Sequence, residues 1–163
     1  MTTIAVKDGI MAADSRCTDD LGAFATRMIK VFRLDSKALL GCAGDADFRD
    51  VVTLFNKASA KKLPTRAELA AIKTEFQGLL LFPNGTLFFI DITPGEGSSS
   101  EYKGSVVECR ERFAAVGSGQ QFAMGAMAAG RGAKQAIEIA CRYDIHSGPP
   151  VVEYPVKPVS KSK

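Results

Sequence analysis

A chain of 163 residues, 46% apolar and 24% charged, can build one domain with its own core but is too short for two ordinary ones. Its net charge is only +3 and the two signs are interleaved, so no basic face for nucleic acid is expected, and no apolar run reaches the roughly 18 residues of a membrane span. The cysteines (Cys17, Cys42, Cys109, Cys141) are widely spaced and His146 is the one histidine, so no metal site is expected and the thiols read as reduced, in a cytoplasmic protein.

The chain opens Met1-Thr2-Thr3-Ile4-Ala5-Val6. Loss of Met1 exposes a threonine whose own α-amine, with an ordinary pKa of about 7.7–8.0, stands beside its hydroxyl. A threonine activated by its own amine is a recognised nucleophile. Residues 1–16 also carry Lys7, Asp8, Asp14 and Arg16 and lack a long apolar core, so no signal peptide is expected there. Thr3–Val6 and Gly9–Ala13 are short apolar runs on either side of Lys7-Asp8-Gly9, and Asp-Gly predicts a tight hairpin. Met28–Leu34 and Lys37–Cys42 predict a second strand pair turning at Asp35-Ser36.

From Asp45 to about Ala60, apolar residues recur at helical steps (Phe48, Val51, Val52, Phe55, Ala58), and Lys61-Lys62-Leu63-Pro64 stops the helix. Thr65 to Lys73 predicts a short helix, with Thr65 as N-cap and Glu68 closing a capping box. Phe76–Phe82 and Thr86–Ile92 flank the turn Pro83-Asn84-Gly85. Gly95–Ser105 reads as a surface loop, and Val106–Glu108 and Arg112–Val116 as strands. Helices are predicted over Gln120–Ala129 and Ala133–Tyr143, separated by Gly130-Arg131-Gly132, with a last strand over Val151–Tyr154. Hairpin-joined strands with segregated helices predict an α+β fold. The expected organisation is one domain over residues 1–154 and a flexible basic tail over residues 155–163.

Five short motifs then fall in one order. Thr2-Thr3-Ile4-Ala5-Val6, with Lys7-Asp8-Gly9-Ile10-Met11-Ala12-Ala13-Asp14-Ser15-Arg16 after it, resembles the start of a proteasome β subunit or its bacterial HslV-type relative. Lys30-Val31-Phe32-Arg33-Leu34 stands where that family carries its catalytic lysine. Gly41-Cys42-Ala43-Gly44-Asp45-Ala46-Asp47 is similar to its glycine turn before the first long helix. Ala115-Val116-Gly117-Ser118-Gly119 is similar to its Gly-Ser-Gly, and Tyr143-Asp144-Ile145-His146-Ser147-Gly148 to its Asp-x-x-Ser-Gly. The resemblance is to N-terminal-nucleophile (Ntn) hydrolases and runs from Thr2 to about Val152. It implies a four-layer α-β-β-α sandwich of two antiparallel sheets, with a second helix shortened to Thr65–Lys73.

The resemblance also implies roles. Thr2 is expected as nucleophile and Lys30 as the cation that lowers the pKa of the Thr2 amine, with Asp14 as the counter-charge of Lys30. The N–H of Gly44 is expected to receive the oxyanion. Ser118, Asp144 and Ser147 are expected as a hydrogen-bonded shell around the amine. Cys17, Met28, Phe32 and Cys42 fall at or near the specificity-pocket positions, implying an apolar residue before the scissile bond. The activity implied is a self-compartmentalising threonine peptidase acting on unfolded proteins or peptides in homo-oligomeric rings. It needs no cofactor, has no nucleic-acid or membrane partner and leaves room for an ATP-dependent unfoldase. As in the HslV-type branch, removal of Met1 alone would release the nucleophile.

Other readings are disfavoured by particular residues. A dinucleotide fingerprint at Gly117-Ser118-Gly119 needs a third glycine where Phe122 stands. A Ser-His-Asp triad has only His146, inside the Asp-x-x-Ser motif, to call on. A catalytically silent ring or scaffold subunit has no chemical need for Thr2, Asp14, Lys30, Ser118, Asp144 and Ser147 together. An Ntn amidase of small amides is disfavoured by the proteasome-like motifs.

Overall fold

The structure is a computed structural model and describes residues 2–18, 25–44, 47–95 and 101–157. β1 (Thr3–Lys7) and β2 (Ile10–Ala13) are joined at Asp8-Gly9, whose φ angles of 52° and 75° suit a two-residue hairpin. β3 (Arg16–Thr18) and β4 (Ala25–Arg27) pair with each other, and β5 (Val31–Arg33) pairs with β6 (Leu39–Gly44). After α1 (Arg49–Asn56) and α2 (Arg66–Ala70) come β7 (Phe76–Leu81), β8 (Leu87–Pro94), β9 (Tyr102–Cys109) and β10 (Phe113–Gly117). α3 (Gln120–Ala128), α4 (Ala133–Tyr143) and β11 (Val152–Pro155) follow. The strands form two antiparallel sheets, ordered β10-β1-β2-β11 and β5-β6-β7-β8-β9, beside the small β3-β4 pair.

Side-chain alternation along the strands decides the layers. Ile4 and Val6 of β1 meet Leu39, Leu79 and Leu81 of the second sheet, forming the layer between the sheets. Ala5 and Ala12, on the other side of the first sheet, meet Ala123, Ala136, Ile137 and Ala140 of α3 and α4. On the far side of the second sheet, Leu40, Leu80 and Ile90 meet Val51, Phe55 and Leu69 of α1 and α2. The order is helix, sheet, sheet, helix, an α+β sandwich. Each large aliphatic side chain removed from water contributes about 1.5–3 kcal/mol, so the three apolar layers hold the stack together. The sheets approach closely at Gly41, where an added Cβ would stand 2.7 Å from Ile4 Cγ2 and 3.0 Å from Met11 Sδ.

The structure departs from the sequence-based expectations in several places. The strand expected over Met28–Leu34 is broken: β4 ends at Arg27 and β5 begins at Val31. The intervening Met28–Lys30 leaves the ladder, with Met28 N–H donating to the Ser15 carbonyl and Lys30 turned onto Asp14. α1 is shorter than Asp45–Ala60, beginning at Arg49 and ending at Asn56. Asp45 and Ala46 lie outside the described residues. Part of the expected Gly95–Ser105 loop is strand, since β9 starts at Tyr102 through pairing with Pro94 and Thr93 of β8. Residues 96–100 of that loop lie outside the described residues. The capping box is present, Thr65 accepting from Glu68 N–H while the Glu68 carboxylate accepts from Thr65 N–H. β11 takes in Pro155, and Val156 is buried, with its N–H on the Gly9 carbonyl and both carbonyls held by the Arg33 guanidinium. Residues 158–163 of the expected tail lie outside the described residues. Among the described residues no helix is long and apolar enough to cross a membrane.

Gly41→Ala tests the sheet-to-sheet approach. Overpacking of this kind costs about 1–3 kcal/mol, so the urea midpoint of the variant should fall with an unchanged denaturant slope.

Candidate active site

The site grows from the buried start of β1. Thr2 is 4% exposed, and its carbonyl accepts from Ser118 N–H at 2.9 Å. Thr3 is in register with Gly117 at the end of β10. Gly117 has φ +94°, and a Cβ there would collide with the Thr2 carbonyl, so only glycine lets β10 close on Thr2.

Asp14 follows directly on β2 and is fully buried. Its carboxylate collects four donors. Oδ1 accepts from Thr3 N–H (2.9 Å) and Lys30 Nζ (2.9 Å), and Oδ2 from the N–H groups of Arg16 and Gly148 (each 3.1 Å). Lys30, 1% exposed, also donates to the Arg16 carbonyl. Burial pushes the Lys30 ammonium pKa below its ordinary 10.5, and the charge of Asp14 opposes that fall.

A second carboxylate lies behind Ser118. Asp144 caps the C-terminus of α4, its N–H on the Ala140 carbonyl at 2.8 Å. Its Oδ2 accepts from Ser118 Oγ (2.7 Å) and Ser147 Oγ (2.5 Å), and its Oδ1 from His146 N–H (3.2 Å). Thr3 Oγ1 lies 2.6 Å from Ser147 Oγ and accepts from Gly119 N–H at 2.9 Å. Because the Ser147 proton goes to Asp144, the Thr3 hydroxyl must donate to Ser147. A directed chain therefore runs Thr3, Ser147, Asp144. Burial pushes the Asp144 carboxyl up, but the hydroxyls of Ser147 and Ser118 and the N–H of His146 outweigh it and hold it below 3.8.

A cleft of about 460 Å³ opens where the two sheets end, lined by Thr2, Cys17, Met28, Lys30, Gly44 and Ser118 among others. Gly44, at the end of β6 with φ +127°, has no room for a Cβ because the Glu75 carbonyl lies against it. Met28 and Phe48 line both this cleft and an apolar groove of about 670 Å³. Phe32 and Val52 line that groove, and the Phe48 ring sits edge-on to Phe32 (6.3 Å) and Phe76 (6.2 Å).

Of the residues expected from sequence, Thr2, Lys30, Gly44 and Ser118 share the cleft, as do Cys17 and Met28. Asp14 lies behind Lys30, and Asp144 and Ser147 lie behind Ser118. Phe32 belongs to the adjoining groove. Cys42 lines neither: strand alternation points it into the helix-facing core, where burial pushes its thiol pKa up. Thr3, Arg16 and Phe48 were not anticipated. Thr3 and Arg16 look like ordinary strand residues in the sequence, and Phe48 fits the core stripe of a helix.

No protein-family profile matches the sequence, and no curated protein matches it. Solved structures do. BPH of Thiobacillus denitrificans in complex with epoxomicin superposes with a TM-score of 0.63 at 20% identity, covering 96% of this chain and 99% of that one. A second structure of the same protein gives 0.59 at 19% identity, covering 96% and 98%. The likeness shows the fold: this chain shares the helix–sheet–sheet–helix, four-layer α-β-β-α sandwich of that protein.

Removing one member of a buried ion pair costs about 3–5 kcal/mol. Lys30→Met should therefore lower the unfolding free energy by about that much, and adding Asp14→Leu to it should deepen the loss, because the N–H groups of Thr3, Arg16 and Gly148 then lose their acceptor. The Asp144 carboxyl has a lowered folded-state pKa. Its stabilising contribution is complete well above 3.8 and is lost as pH falls through the lowered value. The difference in urea midpoint between wild type and Asp144→Asn should therefore shrink below pH 3.8 and stay level well above it.

Proposed function

We propose that this protein is a proteasome/HslV-like threonine endopeptidase, active once Met1 is removed. The observation that carries this reading is the buried Lys30–Asp14 pair at 2.9 Å beneath a cleft that Thr2 and Lys30 line together. Burying an ammonium and a carboxylate is expensive, and apolar replacements are often neutral or stabilising. A chemical use for the cation accounts for its presence.

In this reading the free Thr2 amine takes the hydroxyl proton as Thr2 Oγ1 attacks a peptide carbonyl. The Lys30 charge lowers the pKa of that amine and keeps more of it unprotonated. Gly44 N–H receives the developing oxyanion, a contact worth about 3 kcal/mol in such sites. Collapse expels the amine product, which leaves with the proton, and Thr2 is left as an acyl ester. Water then hydrolyses that ester. Ser118, held by Asp144 together with Ser147, orients the amine and the water. Homo-oligomeric rings would confine the nucleophile to unfolded protein or peptide substrates, and an ATP-dependent unfoldase could deliver them.

The bound epoxomicin of the Thiobacillus denitrificans protein, a proteasome inhibitor, supports the same reading for this cleft. Intact mass spectrometry tests it. Purified protein should lack Met1 and gain one epoxomicin adduct, and Thr2→Ala should abolish both the adduct and peptide hydrolysis. Lys30→Met should lower kcat by about a hundredfold or more, the scale of a disabled acid–base step. Retained Met1 with no adduct would favour a catalytically silent ring subunit.

A further inference from the structure

Two of the residues lining the Thr2 cleft are charged, Lys30 and Glu75. Lys30 is matched by Asp14. Glu75 is exposed, and it forms neither a salt bridge nor a side-chain hydrogen bond with any described residue. Among the described residues, the open charge of the cleft is therefore a carboxylate.

Its position follows from β7. Leu79 and Leu81 face the first sheet, so alternation puts Gln77 on that same side; Glu75 stands one residue before β7 begins, and both line the cleft. The apolar groove lies on the opposite side of the second sheet. Phe32, Val52 and Met28 pack there against the core beneath α1. Gly44, whose N–H faces the reacting carbonyl in the reading above, sits at the strand end between the two sides, against the Glu75 carbonyl. A peptide crossing the end of β6 would send one side chain into the groove and present the following one to Glu75.

We propose that Glu75 is a specificity residue that selects lysine or arginine immediately after the scissile bond. The assignment of sides rests on the peptidase reading, in which the apolar groove takes the residue before that bond. The carboxylate attracts the cation across a partly solvated gap, so the preference is moderate and screened by salt.

The test uses the full chain carrying Thr2→Ala, so that binding is read without turnover. Three fluorescent peptides share an apolar residue followed by arginine, by its neutral isostere citrulline, or by glutamate. Anisotropy at low salt should give arginine a Kd about threefold to fivefold below that of citrulline, the effect of one exposed charge pair. Glutamate should bind most weakly, and high salt should compress the series. Glu75→Gln in the same background should bring arginine and citrulline together while leaving the citrulline Kd unchanged. Equal affinities in the Thr2→Ala protein, binding of none of the peptides, or an arginine preference that survives Glu75→Gln would each overturn the proposal. Cleavage mapping with the Thr2 protein separates the two readings. A Glu75-dependent binding preference with no peptide cleaved would retire the peptidase and keep the cation subsite. Cleavage indifferent to the following residue would keep the peptidase and retire the subsite.

Discussion

The Asp14 carboxylate holds four separate parts of the chain at one point. Thr3 at the start of β1, Arg16 in β3, Lys30 before β5 and Gly148 beyond α4 all donate to it. Three of the four donors are backbone N–H groups, so the charge is met by rigid dipoles and needs little help from solvent. Hydrogen bonds to an ionised acceptor are stronger than neutral ones, and those from Thr3, Lys30 and Gly148 are buried. The placement of Thr2, the bond from Met28 N–H to the Ser15 carbonyl and the position of the Lys30 ammonium all depend on this one buried group.

Around that point the cleft is made from strand ends, where backbone atoms rather than side chains meet. β6 stops at Gly44 and β10 stops at Gly117, both with positive φ and both against a neighbouring carbonyl. Larger residues there would push the sheets apart where the cleft forms. The Thr3–Ser147–Asp144 chain then ties β1 to the end of α4, and Ser118 closes it from the β10 side. Phe48 does the corresponding work for the apolar groove. It joins α1 to β5 and β7 through edge-on ring contacts, so the groove wall is part of the core.

Much of this was legible in the residues. Asp8-Gly9 and Asn84-Gly85 marked hairpins because positive φ is a local demand met by few residue types. Thr65 with Glu68 marked a helix start for an equally local reason. Thr2, Lys30, Gly44 and Ser118 could be grouped because the short motifs that hold them, taken in order, resemble those of one family. Cys42 was misplaced because its neighbours in the chain lie near the cleft while its own side chain faces the other way. One step along a strand reverses the face.

Sequence alone determined the α+β class, the turns and the helix stripes, and through a family resemblance it pointed to the residues that share the cleft. These depend on interactions within a few residues or on a motif. Tertiary structure decided that Met28–Lys30 leaves its strand to reach Asp14, and that β9 extends back to Tyr102. It also decided that Thr3 links Ser147 to the site, and that Glu75 stands open in the cleft. Each of these is settled by partners far away in the chain, and by the cost of leaving a buried charge or backbone group unpaired.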